Sequence, residues 1–156
     1  MSNTKGVENV KKVVLIFSIV LFISSLTQNF MATNGSEEGP GITALIFGWL
    51  GVVVLNPPAF CWLANPMLFI AWGYFKKGKS SLSLVLSIGA TLLALCFLLF
   101  GSIVDNEGGT SQPITGYRAG YWLWLLSIVT MMIGNGLIYL LKKPIDQANR
   151  KVISQS

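Results

Sequence analysis

The residues that could carry chemistry in this chain are few, and the most suggestive are asparagines beside helix breakers. Asn56 precedes Pro57 and Pro58, Asn65 precedes a further proline, and Asn135 lies between two glycines. All three lie in or near long apolar stretches, where uncharged amides could line a polar pocket facing the outer side of a membrane. The competing interpretation is more common: such asparagines cap helix ends or bind carbonyl groups that prolines leave without a donor.

Acid–base chemistry has little support in this sequence. The chain contains no histidine, and its apolar runs contain no acidic or basic residue. Histidine is the commonest general base and metal ligand, and ion-coupled carriers usually need an ionisable group within the membrane. Cys61 and Cys96 form no C-x-x-C pair and are typical of thiols that act as small hydrophobic side chains. We therefore expect no enzyme activity, no metal and no cofactor.

Four apolar runs organise the chain, and they cover residues 13–30, 42–75, 80–104 and 121–141. A helix needs about 20 apolar residues to cross a bilayer. The chain of 156 residues, 53% of them hydrophobic, therefore predicts an all-α membrane protein with a single domain, 1–156. Its four transmembrane helices are expected at about 13–30, 56–75, 80–104 and 120–141. A cleaved signal peptide is the alternative for the first run, although no A-x-A site follows it.

The basic residues predict the orientation, because ten of the eleven flank the runs on one side. The ten are Lys5, Lys11, Lys12, Lys76, Lys77, Lys79, Lys142, Lys143, Arg150 and Lys151. Short basic loops stay in the cytoplasm, so both termini are predicted to be cytoplasmic. Arg118 lies in an opposite loop, where Glu37, Glu38, Asp105 or Glu107 could pair with it. The expected location is the cell membrane, as a multi-pass protein of a bacterial inner membrane.

The second run is too long for one straight crossing and is broken at Asn56-Pro57-Pro58. We expect residues 56–75 to cross and residues 42–55 to form an interfacial or re-entrant half-helix on the outer side. Two separate crossings are the less favoured alternative, because 42–55 is short. Trp62 would lie well inside the membrane, and a carbonyl freed by Pro58 or Pro66 is the expected acceptor for its N–H. The candidate binding residues are therefore Asn56, Pro57, Pro58, Trp62, Asn65 and Arg118.

Small residues recur at helical spacing in the third and fourth runs. The predicted packing residues are Ser83, Ser87, Ala90, Ala94, Ser127, Thr130 and Gly134. In lipid, helices associate through close backbone approach and hydroxyl hydrogen bonds, and the alternating spacing of three and four is typical of left-handed packing. These patterns predict a left-handed four-helix bundle. Residues 33–39 and 105–117 are expected to be ordinary polar loops.

The expected function is non-catalytic binding of another membrane component, either immunity-like or as an accessory subunit. Bacterial immunity proteins against pore-forming toxins are similar in size and topology, which is an analogy of topology alone. The alternative is a passive carrier or pore for a small neutral solute or lipid. The expected partners are the lipid bilayer and another membrane protein or a second copy of the chain. Nucleic acid is not expected, because no basic, aromatic-interleaved face lies outside the runs.

Overall fold

The structure, a computed structural model, describes residues 2–34, 36, 37, 39–104 and 111–153, with side chains for 6–34, 39–103 and 111–141. It is mostly helical. The α-helices are α1 (Ser2–Leu26), α2 (Gly41–Val53), α3 (Ala64–Lys76), α4 (Ser80–Cys96) and α5 (Ala119–Ile153). One 3₁₀ helix, η1 (Pro57–Leu63), leads into α3, and another, η2 (Phe97–Leu99), follows α4.

Three helical segments are long and apolar enough to cross a membrane. They are Gly6–Leu26, Ser80–Leu99 and Ala119–Leu141. They overlap the first, third and fourth predicted spans and are compatible with a membrane protein. The second predicted span, 56–75, is divided between η1 and α3, and Pro66 lacks the N–H that would donate to the Trp62 carbonyl in a continuous α-helix.

Helix α1 packs along α5, and small residues bring the two backbones close together. The Ser18 hydroxyl donates to the Ser127 carbonyl over 2.9 Å, and the Ser127 hydroxyl donates to the Ser18 carbonyl over 2.9 Å. Further along α5, a Cβ atom on Gly134 would collide with the Val14 side chain. Ser127 and Gly134 are buried, whereas Thr130, the third packing residue predicted on this helix, is only partly buried.

Helix α4 packs between α3 and α5 through its small residues. The four predicted packing residues of this helix are fully buried: Ser83, Ser87, Ala90 and Ala94. The Ser83 hydroxyl donates to the Ala71 carbonyl of α3 over 2.8 Å. Val85, on another face of α4, is 67% exposed. The left-handed sense of the packing stays a prediction.

The connections give the assembly two distinct ends. At the lysine end, α3 turns into α4 through Lys77, Gly78 and Lys79, and Gly78 has a φ angle of +79°, which suits glycine. Helix α1 begins and α5 ends at this same end. At the opposite end, the chain leaves α1 and α4 and enters α5 through short β-strands, and we call this the sheet end.

The sheet end carries four antiparallel strands, β1 (Met31–Thr33), β2 (Ser36–Glu37), β3 (Ser102–Val104) and β4 (Ser111–Tyr117), in the order β2-β1-β4-β3. Strand β1 comes from the connection after α1, and β4 comes from the connection before α5. Met31 pairs with Tyr117, so the central pairing joins segments far apart in the sequence. Two further hydrogen bonds extend the junction: Arg118 N–H donates to the Phe30 carbonyl and Gly120 N–H to the Asn29 carbonyl.

The sheet corrects two expectations from the sequence. The chain is not all-α, because the connections expected as polar loops contribute strands. The third run is not helical to residue 104: its helix ends within η2, and β3 takes the last residues. The Tyr117 hydroxyl stabilises this ending by donating to the carbonyls of Phe97 and Phe100 over 3.1 and 3.3 Å. Burial raises the pKa of Tyr117 above its ordinary value, so the hydroxyl remains a donor even at alkaline pH, where an exposed tyrosine begins to ionise.

We predict that a larger side chain on the buried face of α4 destabilises the helix assembly. Ala90→Leu is expected to lower the free energy of unfolding by roughly 1–3 kcal/mol, because Ala90 is fully buried among packed helices. Val85→Leu, on the exposed face of the same helix, is the control and is expected to be nearly silent. Thermal unfolding in detergent measures both variants, and equal midpoints would contradict the assignment of the packing face.

Candidate ligand-binding site

Helix α2 and η1 form a helical hairpin whose turn follows from its backbone hydrogen bonds. Asn56 N–H donates to the Gly51 carbonyl over 2.9 Å, and Leu55 N–H donates to the Val52 carbonyl over 3.1 Å. These two bonds are the Schellman ending of a helix, which requires a left-handed residue before Asn56. Leu55 occupies that position with a φ angle of +58°, where glycine is usual. The prolines after Asn56 then begin the 3₁₀ turns of η1.

Glycines on α2 allow the two arms of the hairpin to approach closely. A Cβ atom on Gly48 would collide with the Trp62 ring, and one on Gly51 would lie 2.5 Å from the Ala59 Cβ atom. Because of this approach, the Trp62 indole N–H reaches the Leu45 carbonyl of α2 over 2.9 Å. The acceptor is therefore not a carbonyl freed by Pro58 or Pro66, and this sequence expectation was wrong.

Asn65 joins the hairpin to α5. Its side-chain N–H donates to the Trp62 carbonyl over 3.1 Å, and its side-chain oxygen accepts from the Trp124 indole over 2.8 Å. In a regular α-helix the Trp62 carbonyl would accept from residue 66, but Pro66 has no N–H. The Trp62 carbonyl instead accepts a backbone N–H at the end of η1, and the Asn65 side chain supplies a second donor to it. Each polar atom of its amide keeps capacity for one further hydrogen bond.

Asn135 does not join the other two asparagines. It lies on α5 toward the lysine end, where its N–H group donates to the Met131 carbonyl over 2.9 Å and to the Ser87 hydroxyl over 3.3 Å. Its side-chain oxygen is buried without a hydrogen-bond partner among the described residues. The three asparagines therefore do not form one polar pocket.

A cavity of about 700 Å³ lies beneath α2. One wall is α2 itself, and η1 forms another. The end of α1, Phe97 of η2, two strands of the sheet and Trp124 of α5 complete it. Four of the six candidate binding residues line this cavity: Asn56, Pro58, Trp62 and Asn65. Pro57 and Arg118 do not line it.

Arg118 lies between β4 and α5 and is exposed. Its expected acidic partners have side chains outside the described residues, so that pairing stays a prediction. Sequence reasoning missed other lining residues, including Ser25, Phe97 and Trp124. It also missed Gly48 and Gly51, whose three-residue spacing on one helix face is a sequence signal for close approach by a neighbouring segment.

The chemistry of the lining is apolar and uncharged. Its side chains are mainly aliphatic and aromatic, and none of the lining residues is acidic, basic or histidine. Cys61 is its only thiol, and the described part of the chain holds no cluster of three potential metal ligands. Such a surface binds hydrophobic groups through burial and positions them through a few polar atoms.

Comparison with known proteins gives no match to a protein-family model, a curated protein or a solved structure.

We predict that water reaches the cavity rim at Asn56 but not the α4 interface. In a Cys61→Ala/Cys96→Ala background, Asn56→Cys is expected to react with a membrane-impermeant maleimide added outside cells. Ser87→Cys is expected to stay unlabelled, because Ser87 is fully buried. Mass-shift labelling in intact cells measures both, and lysed cells provide the control for thiol reactivity. An Asn56→Cys variant that labels only after denaturation would mean a packed, dry rim.

Proposed function

We propose that this chain crosses a membrane four times, with both termini cytoplasmic, and binds another membrane component without catalysis. The three apolar segments supply three crossings. The fourth is η1 and α3 together, from Pro57 to Lys76, which continue from one to the other without a break. This arrangement agrees with the lysine clusters, because every connection at the lysine end then lies in the cytoplasm.

The cavity beneath α2 is the observation that supports binding. Its volume of about 700 Å³ is within the range of about 300–1,000 Å³ that is usual for small-molecule sites. A packed helix assembly in lipid gains nothing from such a space, since each unfilled contact forfeits dispersion energy. Because its lining holds no carboxylate and no imidazole, binding has better support than acid–base catalysis.

A continuous pore has less support. Toward the lysine end from Asn65 and Trp124, the next interior side chains of α3 and α5 are Leu68, Ile128 and Met131, all fully buried. These close packed contacts separate the cavity from the lysine end. The cavity therefore has no path toward the lysine end through these residues, which favours a binding site over a channel.

The topology is tested with reporter fusions. An enzyme reporter active only outside the cytoplasm is expected to be active when fused after Gly109. The same reporter is expected to be inactive after Gly78 or Ser156, because both positions then follow cytoplasmic lysine clusters. Activity after Gly78 would overturn the four-crossing arrangement.

Binding is tested by photo-crosslinking from the mouth of the cavity. Benzoylphenylalanine in place of Phe47, which lines the cavity and is 58% exposed, is expected to capture a discrete membrane component in native membranes. The same probe in place of Val85, 67% exposed on α4, is the matched control for random collisions with lipid. Identical adduct patterns from the two positions, in identity and yield, would remove the support for a binding site.

A further inference from the structure

The cavity beneath α2 has an access route that α2 itself defines. Phe47, Leu50 and Val54 lie on one side of the helix, line the cavity and are 58%, 44% and 74% exposed. They therefore form its mouth. Their neighbours on the outward face, Ile46 and Trp49, are 53% and 47% exposed and do not line it. Both the residues that line the mouth and those beside it on the outward face of α2 are therefore apolar.

An apolar mouth faces hydrocarbon at less cost than it faces water. Exposed apolar surface costs about 25 cal/mol per Å² in water, and the mouth residues are bordered by further apolar surface on the same helix. In the proposed topology α2 lies at the outer leaflet. The mouth then opens sideways into that leaflet, where the acyl chains of lipids are the surrounding medium.

Polar side chains in the cavity lining are few and uncharged. The Asn56 side chain lines the rim, is partly buried and accepts or donates no hydrogen bond among the described residues. Asn65 and Ser25 keep hydrogen-bonding capacity beyond their contacts with Trp62, Trp124 and Phe22. These groups suit an ester, hydroxyl or amide, each of which needs one or two partners.

Two other occupants fit this lining less well. A peptide segment would bring one N–H and one carbonyl per residue into a space with few partners, at a cost for each unpaired group. A charged head group would lose its hydration without an ion-pair partner, since no lining residue carries a charge.

We infer that the cavity holds the acyl chain of a neutral membrane lipid, with its uncharged ester or hydroxyl group at Asn56. This inference rests on the proposed function and names the class of its ligand. The acyl chain of the lipid enters past Phe47 and Leu50, and its hydrocarbon lies between α2 and Trp124. No bond forms or breaks, so the site selects and retains a lipid without modifying it.

The experiment uses the full chain in phosphatidylcholine nanodiscs with a small fraction of a photolipid that carries a diazirine on its acyl chain. One sample contains diacylglycerol as the photolipid, and a second contains phosphatidate with the same chains. Peptide mass spectrometry of the wild-type protein locates the labels. We expect diacylglycerol to label segment 41–63 about tenfold more than the exposed face of α4, and phosphatidate to show no such preference.

Two variants on α2 separate binding from contact with bulk lipid. Ala44→Phe fills space in the cavity wall and is expected to reduce labelling of segment 41–63 by about tenfold. Ile46→Phe adds similar volume to the outward face and is expected to leave the labelling unchanged. Thermal unfolding of both variants verifies that they fold. If a variant does not fold, the positions of the labels in the wild-type protein still test the inference.

The outcomes distinguish this inference from the function on which it rests. Uniform labelling of α2 and α4, or a preference for phosphatidate, overturns the neutral-lipid assignment. If benzoylphenylalanine at Phe47 then captures a protein, the binding function stands and its ligand is not a lipid. If neither probe gives a product specific to the cavity, both the ligand class and the binding function fail.

Discussion

The reciprocal hydrogen bonds between Ser18 and Ser127 are the interaction on which the helix assembly depends. Each hydroxyl donates to the carbonyl of the other residue, and the Trp72 indole of α3 donates to the Ser18 hydroxyl over 3.0 Å. Ser18 and Ser127 are fully buried and Trp72 is partly buried, so this cluster joins α1, α5 and α3 within the assembly. In a membrane, burial of apolar surface contributes little to helix association, so close approach and polar contacts must supply the specificity. Small hydroxyl residues meet both requirements at once.

The same physics operates where the second run is broken. Pro66 cannot donate to the Trp62 carbonyl as an α-helix would require. That carbonyl accepts from a backbone N–H at the end of η1 and from the Asn65 side chain. Glycines then let α2 fold back on η1, closely enough for Trp62 to donate to Leu45. The side chains of α2 and η1 do not fill all the space between this hairpin and the rest of the protein, and the unfilled space is the cavity. One local sequence therefore both supplies the hydrogen bonds at the helix break and forms the candidate binding site.

The sequence predicted those features that depend on local pattern. The lengths of the apolar runs predicted three of the long helices, and the spacing of Ser83 and Ala90 predicted a helix face that is buried in the structure. It did not predict the sheet, because three strands have only two or three residues and the fourth, β4, contains a proline and a glycine, which are unfavourable in strands. Their order depends on the pairing of Met31 with Tyr117, a contact between distant segments. The acceptor of Trp62 was missed for a related reason, since it depends on glycines of a different helix.

The sheet also gives the cavity one well-supported side. The Phe30 ring, directly before β1, packs against Tyr121 and Trp124 of α5 with centroid distances of 5.6 and 5.7 Å. The Tyr121 hydroxyl donates to the Ala94 carbonyl of α4 over 2.9 Å, which joins the same aromatic group to a third helix. The wall formed by Trp124 is therefore held from several directions, whereas Ile46 and Trp49 on the outward face of α2 are 53% and 47% exposed. Since the two walls differ in support, we expect the width of the cavity to vary more through the position of α2 than through that of Trp124.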